Sequence, residues 1–268
     1  MDMHTWRANG RGVFICGSPY TEVSSLAWAL TAHRAFWTSS ESRFLYRLFG
    51  SRADLVRPYL YDTYRACAEE GAWLRTNAVS YPEFLAALGD GIGRLFQGRA
   101  GKKRWVDSSP ENALLIEELL YMFPDAAFVG MLQSSRTSVF IEMARHAALT
   151  PPKVRELVAL NTLYGERLKR AGGIAPDRVY LLEERDLFDN PEAALADLLD
   201  FLGEENNPDV AEKFARRLLR LNLPLAEARE KLAQFKTTLL ADTVSEPPLV
   251  TETSPPLEAP PSVAEFQY

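Results

Sequence analysis

Cysteine is scarce in this chain and basic residues are outnumbered by acidic ones, 30 to 36, and each shortage removes a class of function. Two cysteines, Cys16 and Cys67, in 268 residues make neither a disulfide framework nor a cysteine-based metal site. A formal net charge of −6 argues against a general binder of nucleic acid or of anionic membranes, since both need a positive surface. No apolar run reaches membrane-spanning length, and the opening MDMHTWRANGRG is too polar for a signal peptide, so a cytoplasmic location is expected. There is no internal repeat. What is present, 47% apolar and 25% charged residues, is the composition of a globular protein with room for a sizeable core.

The stretch from Gly12 to Arg43 organises the rest. Val13, Phe14, Ile15 and Cys16 form a short apolar run closed by Gly17-Ser18-Pro19. Val23, Leu26, Ala27 and Leu30 then recur at helical spacing. Strand, turn and helix in that order place the turn at the carboxyl end of a buried strand, where helix N–H groups suit an anion. Two more strands are expected, at Ala127–Leu132 and Val179–Leu182. Helices are expected from Glu41 to Phe49, Asp54 to Gly71 (interrupted by Pro58), Ser80 to Phe96, Ser109 to Phe123, Ser134 to Leu149, Pro152 to Ala171, Asn190 to Leu202 and Asp209 to Leu240. Ser80, Ser109 and Asn190 are the expected caps, each followed within two residues by proline. Gly89, Gly91 and Gly93 are expected to weaken the middle of their helix. The alternation predicts an α/β fold: a single domain over 1–240, with a parallel sheet flanked by helices, and a Pro-rich tail over 241–268.

Laid without a gap on a known pattern, Gly17, Pro19, Leu26, Ala32, His33, Glu41 and Arg43 fall on shared positions. The segment resembles the start of the sulfotransferases that use 3′-phosphoadenosine-5′-phosphosulfate (PAPS), and is closest to the branch containing the protein-tyrosine sulfotransferases. Their first loop reads roughly G-x-P-R-S-G-T-T-L, and a later A-H-P-x-x-x-x-G-E-E-T-R carries a catalytic glutamate. The resemblance continues through Lys103–Pro110, Leu119–Val129, Met131–Ile141, Arg178–Leu187 with Asn190-Pro191-Glu192, and Phe201-Leu202-Gly203. It implies the P-loop-like sulfotransferase fold. It also implies that Gly17, Ser18, Tyr20, Ser24 and Arg136 line the cofactor, that Glu22, Arg43 and Gln133 face substrate, and that Glu41 is the general base.

The departures from the pattern fall on the cofactor side. Tyr20 stands for an arginine or lysine, Glu22 for a glycine, Ser108 for a lysine, Gln133 for the 3′-phosphate arginine and Ile141 for the 3′-phosphate serine. A carboxylate beside a phosphate costs about 4 kcal/mol at 4 Å and an effective dielectric near 20. Losing three charge-assisted hydrogen bonds, at about 1.5–3 kcal/mol each, removes more than about a thousandfold in affinity. The losses share a direction, and two explanations stand for it: random drift, or a refitting of the pocket for a less anionic ligand.

Other residues carry a functional and a plain reading side by side. Glu41 is a base or a first-turn helix glutamate. Arg43 and Arg47 bind an acidic substrate or form surface ion pairs. His33 is a catalyst or a helix-end residue. His146 has no visible partner, and Lys102-Lys103-Arg104 is a ligand-facing run or a wet loop. The tail is a loose end or an arm contacting its own domain or another subunit. Three functions stay open: a small-molecule enzyme diverged from PAPS, with Glu41 as base and its cofactor unknown; a working PAPS enzyme using Arg136 and the Lys102–Arg104 run; and a non-catalytic scaffold. The direction of the losses favours the first. The expected partner is a small-molecule substrate, with neither nucleic acid nor membrane.

Overall fold

Val13 to Cys16 carry no polar side chain and bury completely, which makes them the axis of the sheet. The structure is a computed structural model, and it describes residues 12–18, 20–39, 41–49, 59–133 and 151–217. The elements run β1 (Val13–Gly17), α1 (Val23–Leu30), β2 (Phe36–Thr38), α2 (Phe44–Phe49), α3 (Tyr59–Cys67), α4 (Trp73–Thr76), α5 (Tyr81–Ala100) and β3 (Arg104–Asp107). A 3-10 turn (Pro110–Leu115) leads into α6 (Ile116–Met122), β4 (Ala127–Leu132), α7 (Pro151–Ile174), β5 (Val179–Glu183), α8 (Glu184–Asp189) and α9 (Pro191–Phe201). A last described helix, α10, covers 208–217. The expected helix at 134–149, with Arg136, Ile141 and His146, lies outside the described residues, as does the tail over 241–268.

The sheet has five strands in the order β2-β3-β1-β4-β5, and every pairing is parallel. Alternate residues of β1 point to opposite faces, as strand geometry requires. Phe14 and Cys16 enter one core with α5, α6 and α7, whereas Val13 and Ile15 enter another with α1, α9 and α10. Phe14 packs against Trp105, Phe123 and Phe128, each with ring centroids 5.0 Å away. The chain passes from β3 on one side of β1 to β4 on the other. Open α/β sheets place ligand crevices at such a reversal, beyond the carboxyl ends of the strands.

The sequence reading found three strands, and the sheet has two more. β2 has three residues and β3 has four, too few for a periodic pattern to declare itself. Glu41 was expected to open a helix, but α2 begins at Phe44 because Arg43 sits at φ 49, in the left-handed region. Ser109 holds the N-cap position with Pro110 behind it, as expected, but its side chain caps no amide of the turn that follows. Its hydroxyl donates to Asp107 Oδ1 (2.7 Å) and accepts the Arg43 amide (2.8 Å), and a 3-10 turn follows. α5 runs unbroken past its glycines to Ala100. At Gly89 a Cβ would collide with the Met122 carbonyl, so that glycine lets α6 approach closely. Ser80 and Asn190 do cap, accepting the amides of Glu83 and Ala193.

Candidate functional site

The loop after β1 is tight because its own backbone closes it. Ser18 N–H donates to the Met131 carbonyl (3.2 Å), and both the Thr21 amide (3.2 Å) and hydroxyl (2.7 Å) donate to the Ser18 carbonyl. A Cβ on Gly17 would strike Thr21 Oγ1 and come within 3.0 Å of the Met131 carbonyl oxygen, so only glycine fits. Tyr20 sits at φ 68 and packs against the pair Val154 and Leu157 of α7. Its side chain is committed to α7 packing, and its carbonyl accepts from Gln133 Nε2 at 3.4 Å.

Two polar groups meet at the first turn of α1. The first lies toward β2 and β3. Ser24 Oγ donates to Glu41 Oε2 at 3.4 Å, and Arg43 Nε pairs with Glu41 and, at 3.2 Å, with Glu111. Beneath them Asp107, buried at the end of β3, accepts from Ser109, Asn112 and Ser42. Burial pushes Asp107 above the ordinary carboxylate range, and these hydrogen bonds oppose the shift. Burial likewise raises Glu111, with Arg43 opposing.

The second group lies toward β4 and β5. Glu184, the first residue of α8, is 3% exposed. Its Oε1 accepts the Glu22 amide at 2.8 Å, and its Oε2 accepts from Gln133 Nε2. Burial pushes Glu184 up to about 7 against the pull of those two donors, and the charge of Glu22 adds to the rise. Glu22 turns its own carboxylate onto Ser25 Oγ, which in turn accepts from Arg217 Nε of α10 at 2.9 Å.

Of the residues singled out in the sequence, Gly17, Ser18, Tyr20, Glu22, Ser24 and Gln133 gather at the carboxyl ends of β1 and β4. Glu41 and Arg43 reach the same turn from the loop after β2. Arg136 lies outside the described residues. Arg104 is not in the site: it begins β3, at the opposite edge of the sheet, pairing with Glu204 (3.0 Å) and donating to the Leu202 carbonyl. The Lys102–Arg104 run is therefore no ligand grip. His33 is a buried helix-end residue whose Nδ1 accepts the Ala35 amide at 3.3 Å.

The sequence reading missed Glu184, Asp107, Glu111, Ser25 and Arg217. Glu184 and Asp107 carried one usable signal: each is a carboxylate at the carboxyl end of a strand, the edge where such sheets place their sites. Ser18 Oγ, Ser108 Oγ and Asn112 Oδ1 are buried near this edge without a hydrogen-bond partner among the described residues. A surface cavity of about 330 Å³ lies at the second half of α1, lined by Trp28, Ala32, Lys213 and Arg216 among others. Lys213 Nζ stands 4.3 Å from the centre of the Trp28 ring there. Among the described residues no group of His, Cys, Asp and Glu is arranged for a metal ion, and no helix is long and apolar enough to cross a membrane.

The geometry can be set beside known proteins. A family model described as the sulfotransferase family matches residues 12–208. No curated protein sequence matches the chain. Among solved structures, the sulfotransferase domain of the Synechococcus PCC 7002 olefin synthase aligns over 75% of this chain and 76% of its own, with 15% identity and a TM-score of 0.52. The sulfotransferase domain from the curacin biosynthetic pathway aligns over 76% and 77%, with 18% identity and a TM-score of 0.50. At such identities these likenesses speak to the fold alone.

Proposed function

This chain belongs to the sulfotransferase family, and from that premise we propose that it is an enzyme acting on a small-molecule substrate by acid/base chemistry, with a first loop refitted for a ligand less anionic than PAPS. Glu41 is its general base. The observation that carries the reading is the meeting of Ser24 with Glu41: a carboxylate from the loop after β2 accepts a hydroxyl at the first turn of α1. A substrate hydroxyl occupying that position would hand its proton to Glu41 Oε2, with Arg43 holding the other carboxylate oxygen. Gly17 and Ser18 shape the floor of the loop, and Glu22, Arg43 and Gln133 border the substrate space.

PAPS, which the family resemblance implies, is a poor match to the described residues. The carboxylates of Glu22 and Glu184 meet at the start of α1, and Glu41, with Glu111 beyond Arg43, reaches its first turn through Ser24. Arg43 is engaged by Glu41 and Glu111, and Arg217 by the Ser25 hydroxyl. The Glu22 amide, one of the donors at the start of α1, already serves Glu184. Desolvating phosphates beside several carboxylates is unfavourable unless cations outnumber them. No step through PAPS is therefore assigned.

Calorimetry with adenosine 3′,5′-bisphosphate at pH 8 tests this. No saturable binding in the micromolar range is the expected result. Micromolar binding would overturn the refitted loop and return sulfuryl transfer from PAPS as the leading function.

A further inference from the structure

We propose that Glu184 sets the ligand choice of this site: its carboxylate, seated on the Glu22 amide and on Gln133, is an internal anion that stands where a phosphate group would be held. The inference rests on the reading of the loop as refitted and names the residue responsible. Helix N-termini bind anions through backbone N–H groups that lack intrahelical partners. Here a carboxylate from the end of β5, 162 positions further along the chain, takes one of those groups at 2.8 Å. The same carboxylate takes the side-chain amide of Gln133 at the end of β4. One buried group thus draws donors from both strands that border the crevice.

Glu184 cannot step aside easily. It is 3% exposed, and Leu187, one turn along α8, is fully buried. A second carboxylate, Glu22, lies beside it, held by Ser25 and, through Ser25, by Arg217. An incoming phosphate would have to displace one carboxylate from its donors and sit next to the other. Because burial lifts Glu184 to about 7, it is ionised at pH 8 and largely neutral below pH 6, so the exclusion is strongest in mild alkali.

The test is calorimetry at pH 8, titrating adenosine 3′,5′-bisphosphate into the full chain and into Glu184→Gln, with thermal melts to confirm folding. Glutamine keeps an acceptor for the Glu22 amide and removes the charge. The expected outcome is silence from the wild type and a gain of about tenfold or more in affinity in the variant. If Glu184→Gln fails to melt cooperatively, Glu184→Met, which keeps the volume and removes the charge, is read in the same assay and should gain binding too. A folded variant as silent as the wild type overturns the assignment to Glu184 while leaving the refitted loop standing. Micromolar binding by the wild type overturns both.

Discussion

Ser24 Oγ donates to Glu41 Oε2 at 3.4 Å, joining the first turn of α1 to the loop after β2. Neither residue lies on the strand it follows. β1 and β2 are not neighbours either, since β3 lies between them. The contact exists because both loops emerge at the same edge of a parallel sheet. Arg43 steadies it from the other side, and its left-handed backbone at φ 49 keeps Glu41 off the helix that follows.

Glu41→Gln should therefore remove turnover without unfolding the chain. General-base contributions run to about a hundredfold to ten-thousandfold, so a loss in that range is expected. The broken pair with Arg43 is half-exposed and contributes at most about 1 kcal/mol to stability. Comparing metabolite-mixture turnover and urea denaturation of the two proteins checks both halves. Full turnover in the variant rules out Glu41 as the base.

Stability should fall as pH rises from about 4.5 to 7, and Glu184 should account for a definite share. Its folded value is raised from 4.5 to about 7, so between those values the folded chain holds a proton that the unfolded chain has released. The unfolding free energy then decreases across the window and levels off above it, by about 3–4 kcal/mol from this group at most. Glu184→Gln should remove that share. Glu118, also lifted to about 7 by burial, contributes in both proteins, so the difference between their pH–stability curves isolates Glu184. Parallel curves would count against a buried, ionising Glu184.

Gly17→Ala should destabilise the chain by about 1–3 kcal/mol, the usual range for forcing extra volume into a close-packed site. The added methyl meets Thr21 Oγ1 and the Met131 carbonyl, and neither can retreat without breaking the loop's own hydrogen bonds. A fall in the urea midpoint at unchanged slope is the expected result. A neutral substitution would mean the loop is looser than its hydrogen bonds imply.

Much of the fold was legible because its signals are local. Four apolar residues and a Gly-Ser-Pro turn mark β1, and Ala127–Leu132 marks β4 in the same way. The pairs Ser80 with Glu83 and Asn190 with Ala193 are separated by three residues, and both caps formed as read. β2 and β3 were missed because three or four residues set no period, and Arg104 and Asp107 at the ends of β3 look like loop. The helix start at Glu41 failed for a different reason. Arg43 adopts a backbone its own side chain disfavours, with its amide held by Ser109 from 66 positions away.

The sequence by itself determined the order of the main elements and the glycine at the end of β1, because each depends on residues a few positions apart, and the membership of a family, because its motifs recur in order along the chain. Only the tertiary structure decided which carboxylates crowd the turn and which donors they take. Glu184 looked like one more charge after a strand. It became a partner of Glu22 and Gln133 because parallel crossovers bring the ends of β1, β4 and β5 to one edge. Burial there turns an ordinary glutamate into one that is costly to ionise and hard to move, a property set by its surroundings rather than by the residue.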